Sequence, residues 1–185
     1  MRVFFAIDIP EDIKTGLSDL ITELRPFYPK YAIRWAHPHR FHITLQFLKD
    51  IDPGHLDGLV EEASLVLAKM PAFDVQLGPL ELFPTSTRPK IVSLATEPQD
   101  VLKDMALQLG QAIAALGYPT ESRPFRGHMT LGRFNFDREK AIYVLPKIVL
   151  PMVKAFRVSE VMLFQSQTEL DQTRYVSLKQ IGLSG

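Results

Sequence analysis

The chain has 185 residues, 46% hydrophobic and 23% charged, a balance that suits a folded globular protein and excludes extended disorder. Its 21 basic and 21 acidic residues cancel, which excludes a protein that wraps long nucleic acid by neutralising many phosphates, though not one that grips a single terminal phosphate. It contains no cysteine, so disulfides, thiol nucleophiles and thiolate metal sites are excluded as well.

Residues 2–9 (RVFFAIDI) read as a buried strand that Pro10 ends. The apolar run there is too short for a signal peptide and no other stretch approaches membrane-spanning length, so a cytoplasmic protein with no membrane partner is expected. Glu11 to Arg25 follows with Ile13, Leu17, Leu20, Ile21 and Leu24 at helical spacing. Tyr31–Trp35 and Phe41–Leu48 read as strands rich in aromatic and β-branched residues. A second helix is predicted over His55–Met70, with Leu59, Val60, Ala63 and Leu67 on one face, and another strand over Phe73–Leu82, closed by Pro84.

The order then starts again. Lys90–Ala95 is a predicted strand, and Pro98 precedes a helix over Asp100–Leu116 that turns Leu102, Met105, Leu109, Ile113 and Leu116 inward, with Gly117 placed to end it. A short strand near Glu121–Phe125, a longer one over His128–Phe134, a brief helix over 137–145, and strands over Phe156–Phe164 and Tyr175–Lys179 complete the set. Both halves read strand, helix, strand, strand, helix, strand. No linker interrupts them, so residues 1–185 are expected to form one two-lobed α+β domain built from a duplicated unit.

The matching strands carry a matching motif: Phe41-His42-Ile43-Thr44-Leu45-Gln46-Phe47 resembles Gly127-His128-Met129-Thr130-Leu131-Gly132-Arg133-Phe134. Strand side chains alternate between faces, so His42 and Thr44 share one face while Ile43, Leu45 and Phe47 take the other. His128 and Thr130 do the same, opposite Met129 and Leu131. If the two strands meet across a cleft, two imidazoles and two hydroxyls converge on it. That set suits phosphodiester cleavage. Imidazole gives or takes a proton near neutrality, and a hydroxyl donates to non-bridging phosphate oxygens where charge builds in the transition state. The chemistry requires neither a metal nor a cofactor.

The paired H-x-T-x motifs are similar to those of the two-histidine phosphoesterases, and within them to the bacterial RNA 2′,3′-cyclic phosphodiesterases, also called 2′-5′ RNA ligases. The resemblance extends from Arg2-Val3-Phe4-Phe5-Ala6-Ile7-Asp8-Ile9-Pro10 through Trp35, Leu82-Phe83-Pro84, Arg88-Pro89 and Arg123-Pro124-Phe125 to Val161-Met162-Leu163-Phe164-Gln165-Ser166 and Tyr175. It implies a bilobal fold of two antiparallel sheets with flanking helices around a central cleft. It also implies hydrolysis of a terminal 2′,3′-cyclic phosphate to a 2′-phosphate, with His42 as proton donor and His128 as acceptor. The two motifs by themselves do not order those roles. Gly127 departs from the family, which usually has proline before the second histidine.

Two further readings stay open: reversible joining of RNA ends through a 2′-5′ linkage, and a non-catalytic module that binds nucleotides or RNA ends. The expected partners are RNA termini or small cyclic nucleotides, bound by a monomer. Besides Thr44 and Thr130, substrate contacts are expected from Arg126 and Arg133. Arg126 and Arg40 each precede a motif histidine by two positions and reach the cleft if the strands begin that early. Arg133 falls on the wrong face by alternation unless a bulge near Gly132 redirects it. Trp35, Phe83 and Phe134 are candidates to stack a base. His37 and His39 cluster near His42 with no carboxylate nearby in sequence, so no metal site is expected, and His55 at the head of a helix should be exposed.

Overall fold

The computed structural model describes residues 1–87, 89–121, 123–135, 144–148, 153–169 and 172–185. Strand β1 (Val3–Asp8) leads through Pro10 into helix α1 (Glu11–Leu24), whose first turn carries Glu11 and Asp12, charges that favour a helix start. Strands β2 (Ile33–Trp35) and β3 (His42–Leu48), helix α2 (Leu56–Leu67) and strand β4 (Phe73–Phe83) follow. Then come β5 (Ile91–Glu97), α3 (Gln99–Ala115), β6 (His128–Phe134), β7 (Phe156–Val158), β8 (Glu160–Glu169) and β9 (Gln172–Gly182). Gly117 adopts φ +84°, a left-handed conformation open to glycine, and stops α3 just beyond its end.

The strands form one antiparallel path, β7-β4-β5-β6-β3-β1-β8-β9, with β2 paired to β6. The two sheets expected from the sequence are the two ends of this path. They meet at β3 and β6, which share one register pair, Ile43 opposite Met129. An apolar core of side chains from both ends, among them Phe5, Ile7, Phe41, Ile43, Leu94 and Met129, lies beneath the sheet. Each large side chain buried there contributes about 1.5–3 kcal/mol.

The lobes in space are not the halves in sequence. Strand β4, from the first half, pairs with β5 in the second lobe, while β8, from the second half, pairs with β1 in the first. The first half donates its last strand, β4, to the second lobe, and the second half donates β8, with β9 beyond it, to the first, which ties the lobes together. The second half also departs from the expected element order: Glu121 and residues 123–125 form no strand, and the expected strand over Phe156–Phe164 is split at Ser159 into β7 and β8. Most of the helix expected over 137–145 lies outside the described residues. Leu116 does not turn inward: it is 40% exposed, because α3 ends at Ala115 and the chain leaves the helical path there. Among the described residues no helix is long and apolar enough to cross a membrane.

Candidate active site

Strands β3 and β6 have the same burial pattern, residue for residue. Their histidines and threonines are partly exposed, whereas Ile43, Leu45, Met129 and Leu131 are buried against the core. Counting one residue either way from the Ile43–Met129 pair places His42 across the seam from Thr130, and His128 across from Thr44. Four motif side chains thus surround the register pair Ile43–Met129, where the two ends of the sheet meet.

Each imidazole is held by its own backbone. His42 Nδ1 donates to the Arg40 carbonyl at 2.7 Å, and His128 Nδ1 donates to the Arg126 carbonyl at 2.9 Å. A carbonyl only accepts, so both rings carry a proton on Nδ1, and Nε2 is the nitrogen left to take up a second proton. His42 Nε2 accepts from Thr44 Oγ1 at 2.9 Å when the ring is neutral. The hydroxyl of Thr130 has no hydrogen-bond partner among the described residues.

Burial is the main influence on both rings. It pushes His42 down to about 4, with the Arg40 carbonyl and Asp8 opposing and the charges of Arg133 and His128 adding to the fall. Asp8 is itself occupied by the buried Lys14, at 2.9 Å. Burial lowers His128 as well; the Arg126 carbonyl and Glu81 oppose, and Arg133 and Arg126 reinforce the shift. His42 responds to His128, and both respond to Arg133, so the three groups lie within electrostatic reach of one another.

Arg133 reaches this face through a bulge. On β5, Val92 pairs with Gly132 and Ser93 with Thr130, leaving Leu131 as the extra residue. The strand therefore loses one step of alternation, and Arg133 returns to the side of His128 and Thr130, exposed. Among the described residues it forms no ion pair. Arg126 is placed differently. Strand β6 begins only at His128, and the Arg126 guanidinium pairs with Glu81 while lying over the Phe83 ring, 5.3 Å from its centre. Phe83 stacks on His128 with centroids 4.2 Å apart. Arg126 is thus next to the second histidine with its charge already countered. Arg40 lies in a short 3-10 turn, Pro38–Arg40, and donates to the Thr173 carbonyl at 2.9 Å.

Of the three aromatic residues singled out for stacking, only Phe83 is at the site. Trp35 and Phe134 pack around Tyr28, with centroids 6.0 and 6.1 Å from it. The sequence reading missed a second aromatic group: Phe4 lies 4.9 Å from the His42 ring, Tyr175 lies 5.4 Å from it, and Phe47 and Phe164 pack on Phe4 at 6.3 and 5.4 Å. Simple alternation had put Phe47 on the core face. A bulge at Leu45, matching that at Leu131, turns it out, and it is 40% exposed. The internal repeat was the signal for this, since the bulge weighed for Arg133 applies to its twin.

His37 and His39 stack on each other at 4.9 Å, and a carboxylate does approach them, with Glu11 3.9 Å from His39. No group of three His, Cys, Asp or Glu side chains able to hold a metal ion occurs among the described residues. His55 is exposed and its Nδ1 is 2.6 Å from the Tyr118 hydroxyl.

Comparison with known proteins gives a consistent picture. Residues 7–93 match the family described as LigT like Phosphoesterase. An RNA 2′,3′-cyclic phosphodiesterase of Escherichia coli K12 is 29% identical over 187 residues, covering 99% of this chain and 97% of that protein. One from Geobacillus stearothermophilus is 28% identical over 167 residues, which are 90% of this chain and 52% of that protein, so the chain spans about half of this relative's length. The crystal structure of E. coli LigT complexed with 3′-AMP superposes with a TM-score of 0.82 at 27% identity, covering 100% of this chain and 98% of that one.

Proposed function

We propose that the chain, which resembles the LigT-like phosphoesterases over residues 7–93 and the E. coli relative over nearly its whole length, is a member of that family and an RNA 2′,3′-cyclic phosphodiesterase. It opens a terminal cyclic phosphate to a 2′-phosphomonoester by acid–base catalysis between His42 and His128, without a metal. The observation that carries this reading is the pair of Nε2 atoms, one from each twin motif, presented at one seam within the field of Arg133.

The reaction adds water across a P–O bond. His128 Nε2 takes a proton from the attacking water as the new P–O bond forms. His42 donates a proton to the ribose 3′-oxygen as the old bond breaks. Thr44, Thr130 and Arg133 hold the non-bridging oxygens, where charge grows in the transition state. Each positioned acid or base contributes roughly 100- to 10,000-fold.

The surroundings of the two histidines support this order of roles. In an in-line displacement the leaving oxygen, and with it the nucleoside, lies on the side of the acid. An aromatic shelf adjoins His42: the Phe4 ring is buried, and Phe47, Phe164 and Tyr175 packed on it are partly exposed. Beside His128, the one aromatic ring among the described residues that stacks on it, Phe83, already carries the imidazole and Arg126 against it. A base therefore finds its platform on the donor's side. His42 is neutral in the free protein, and the phosphate anion supplies the negative charge that reloads it with a proton.

The test uses a defined oligonucleotide ending in a 2′,3′-cyclic phosphate, assayed in excess chelator. Wild type should release a 2′-phosphate end, and His42→Ala and His128→Ala should each lose two or more orders of magnitude. Undiminished turnover in either variant, or activity that chelator abolishes, refutes the reading.

A further inference from the structure

The two catalytic-face histidines are aimed by the same device, built from different parts. In a peptide group the N–H and the C=O point in opposite directions within one plane. Holding the N–H therefore aims the carbonyl. For His42, the relevant peptide joins Arg40 to Phe41: the Phe41 N–H donates to the Pro38 carbonyl at 3.0 Å, which turns the Arg40 carbonyl toward His42 Nδ1. A local turn does the work.

For His128 the corresponding peptide joins Arg126 to Gly127, and no backbone turn holds it. Instead the Gly127 N–H donates to Gln99 Oε1 at 2.9 Å, and the same side chain returns its Nε2–H to the Gly127 carbonyl at 2.8 Å. Gln99 is fixed in turn by the Thr96 carbonyl, 2.6 Å from Nε2. It sits at the first residue of α3, 28 positions before Gly127 in the chain. The space around Gly127 is tight: a Cβ there would lie 2.7 Å from Thr96 Oγ1 and 2.9 Å from a Leu102 methyl, so a larger residue at 127 would make these side chains shift.

We propose that Gln99 is a positioning residue for His128: by clamping both sides of Gly127 it orients the Arg126 carbonyl, and through it holds His128 in the Nδ1–H form with Nε2 free to accept a proton. Only the activity part of this inference rests on the proposed reaction. The tautomer is a property of the free protein.

The experiment is long-range 1H–15N correlation on the histidine rings of wild type, Gln99→Met and Gln99→Ala, paired with kcat and KM on the cyclic-phosphate oligonucleotide. Methionine keeps the length and helix preference of glutamine and removes only the amide. Wild-type His128 should show a single Nδ1–H tautomer. In both variants it should become a mixture, kcat should fall about tenfold with KM nearly unchanged, and His42 should keep its wild-type signals. A pure Nδ1–H signal and full kcat in either folded variant overturn the inference. So does loss of the fold in both, which would assign Gln99 to stability. Wild type without turnover but with the predicted tautomer change would sink the proposed reaction and leave the clamp standing.

Discussion

Phe47 and Arg133 occupy the same place in twin strands: each is three residues past a motif threonine, and each returns to the face of its motif histidine because its strand bulges at the leucine after that threonine. The histidines and threonines make the two sides of the seam alike. This pair makes them different, with a ring on one side and a fixed positive charge on the other.

For Arg133 the difference has two consequences. Its guanidinium is free of ion pairs among the described residues and is felt by both imidazoles, where it adds to the lowering that burial causes. Arg133→Ala should reduce kcat/KM by roughly 100- to 1,000-fold, the scale for removing one donor to a charged transition state. The residual activity should also move: without the positive charge both histidines titrate higher, so the pH optimum of the variant shifts upward. Rate loss with no change in the pH profile would place Arg133 away from the histidine pair.

Phe47 lies on the side assigned to the nucleoside. Stacking of one base on an aromatic side chain is worth about 1–3 kcal/mol, so Phe47→Ala should raise KM for a cyclic-phosphate oligonucleotide by about fivefold or more, with kcat largely kept. Phe47→Trp should bind at least as well as wild type. Equal KM values for Phe47→Ala and wild type would move the base elsewhere on the shelf.

The pH dependence follows from the lowered histidines. Turnover requires one proton on the pair, and the pair carries one proton between its two apparent pKa values. The lower is set by a group near 4, and the upper also lies below the ordinary 6.5. For the free enzyme, kcat/KM should therefore peak on the acid side of 6.5 and fall toward tenfold per pH unit as the pH rises above it. Bound phosphate raises both pKa values, so kcat should peak at higher pH than kcat/KM. A kcat/KM optimum above pH 7.5 would contradict the burial of the two rings.

What the sequence disclosed was local. His42 with Thr44, and His128 with Thr130, were legible because two residues on one strand share a face whatever the tertiary fold. The same rule misplaced Phe47, because one extra residue at Leu45 reverses every later side chain and leaves no mark in composition. Gly132 gave such a mark for Arg133. Gln99 was illegible: its contact with Gly127 joins a helix start to a distant loop, and although Gly127 stood out against the family's usual proline, nothing in its segment pointed to Gln99. The exchange of β4 and β8 between lobes was hidden for a related reason, since a strand's own pattern tells that it is half-buried but not which neighbour it pairs with. Arg126 looked available because nothing in its own segment reveals Glu81 on β4.

Gly132 tests the packing behind the second motif. It pairs with Trp35 on β2 and with Val92 on β5, and a Cβ there would lie 2.6 Å from an Ile33 methyl and 3.1 Å from the Trp35 ring. The methyl cannot move freely, because Ile33 is buried. Gly132→Ala should cost about 1–3 kcal/mol, the usual range for overpacking, read as a lower urea midpoint. It should also lower kcat, since β2 must shift against the strand that carries His128 and Arg133. A variant as stable as wild type would show that β2 does not press on β6.

The stability of the whole chain should report on His42 independently of any substrate. Its folded pKa, near 4, lies below the unfolded value of 6.5, so on acidification the unfolded chain takes up the proton first. The contribution of the neutral, buried ring is therefore complete above about pH 6.5 and is lost as pH falls toward 4. Between pH 7 and pH 4.5 this amounts to about 2 kcal/mol once partial exposure of the ring is allowed for. His128 adds a loss of the same sign. Urea denaturation at the two pH values should show wild type losing that much more stability than His42→Gln, which has no imidazole to charge. Equal losses in the two proteins would mean that the His42 ring is solvated in the folded state, and the acid-side optimum argued for kcat/KM would lose its main support.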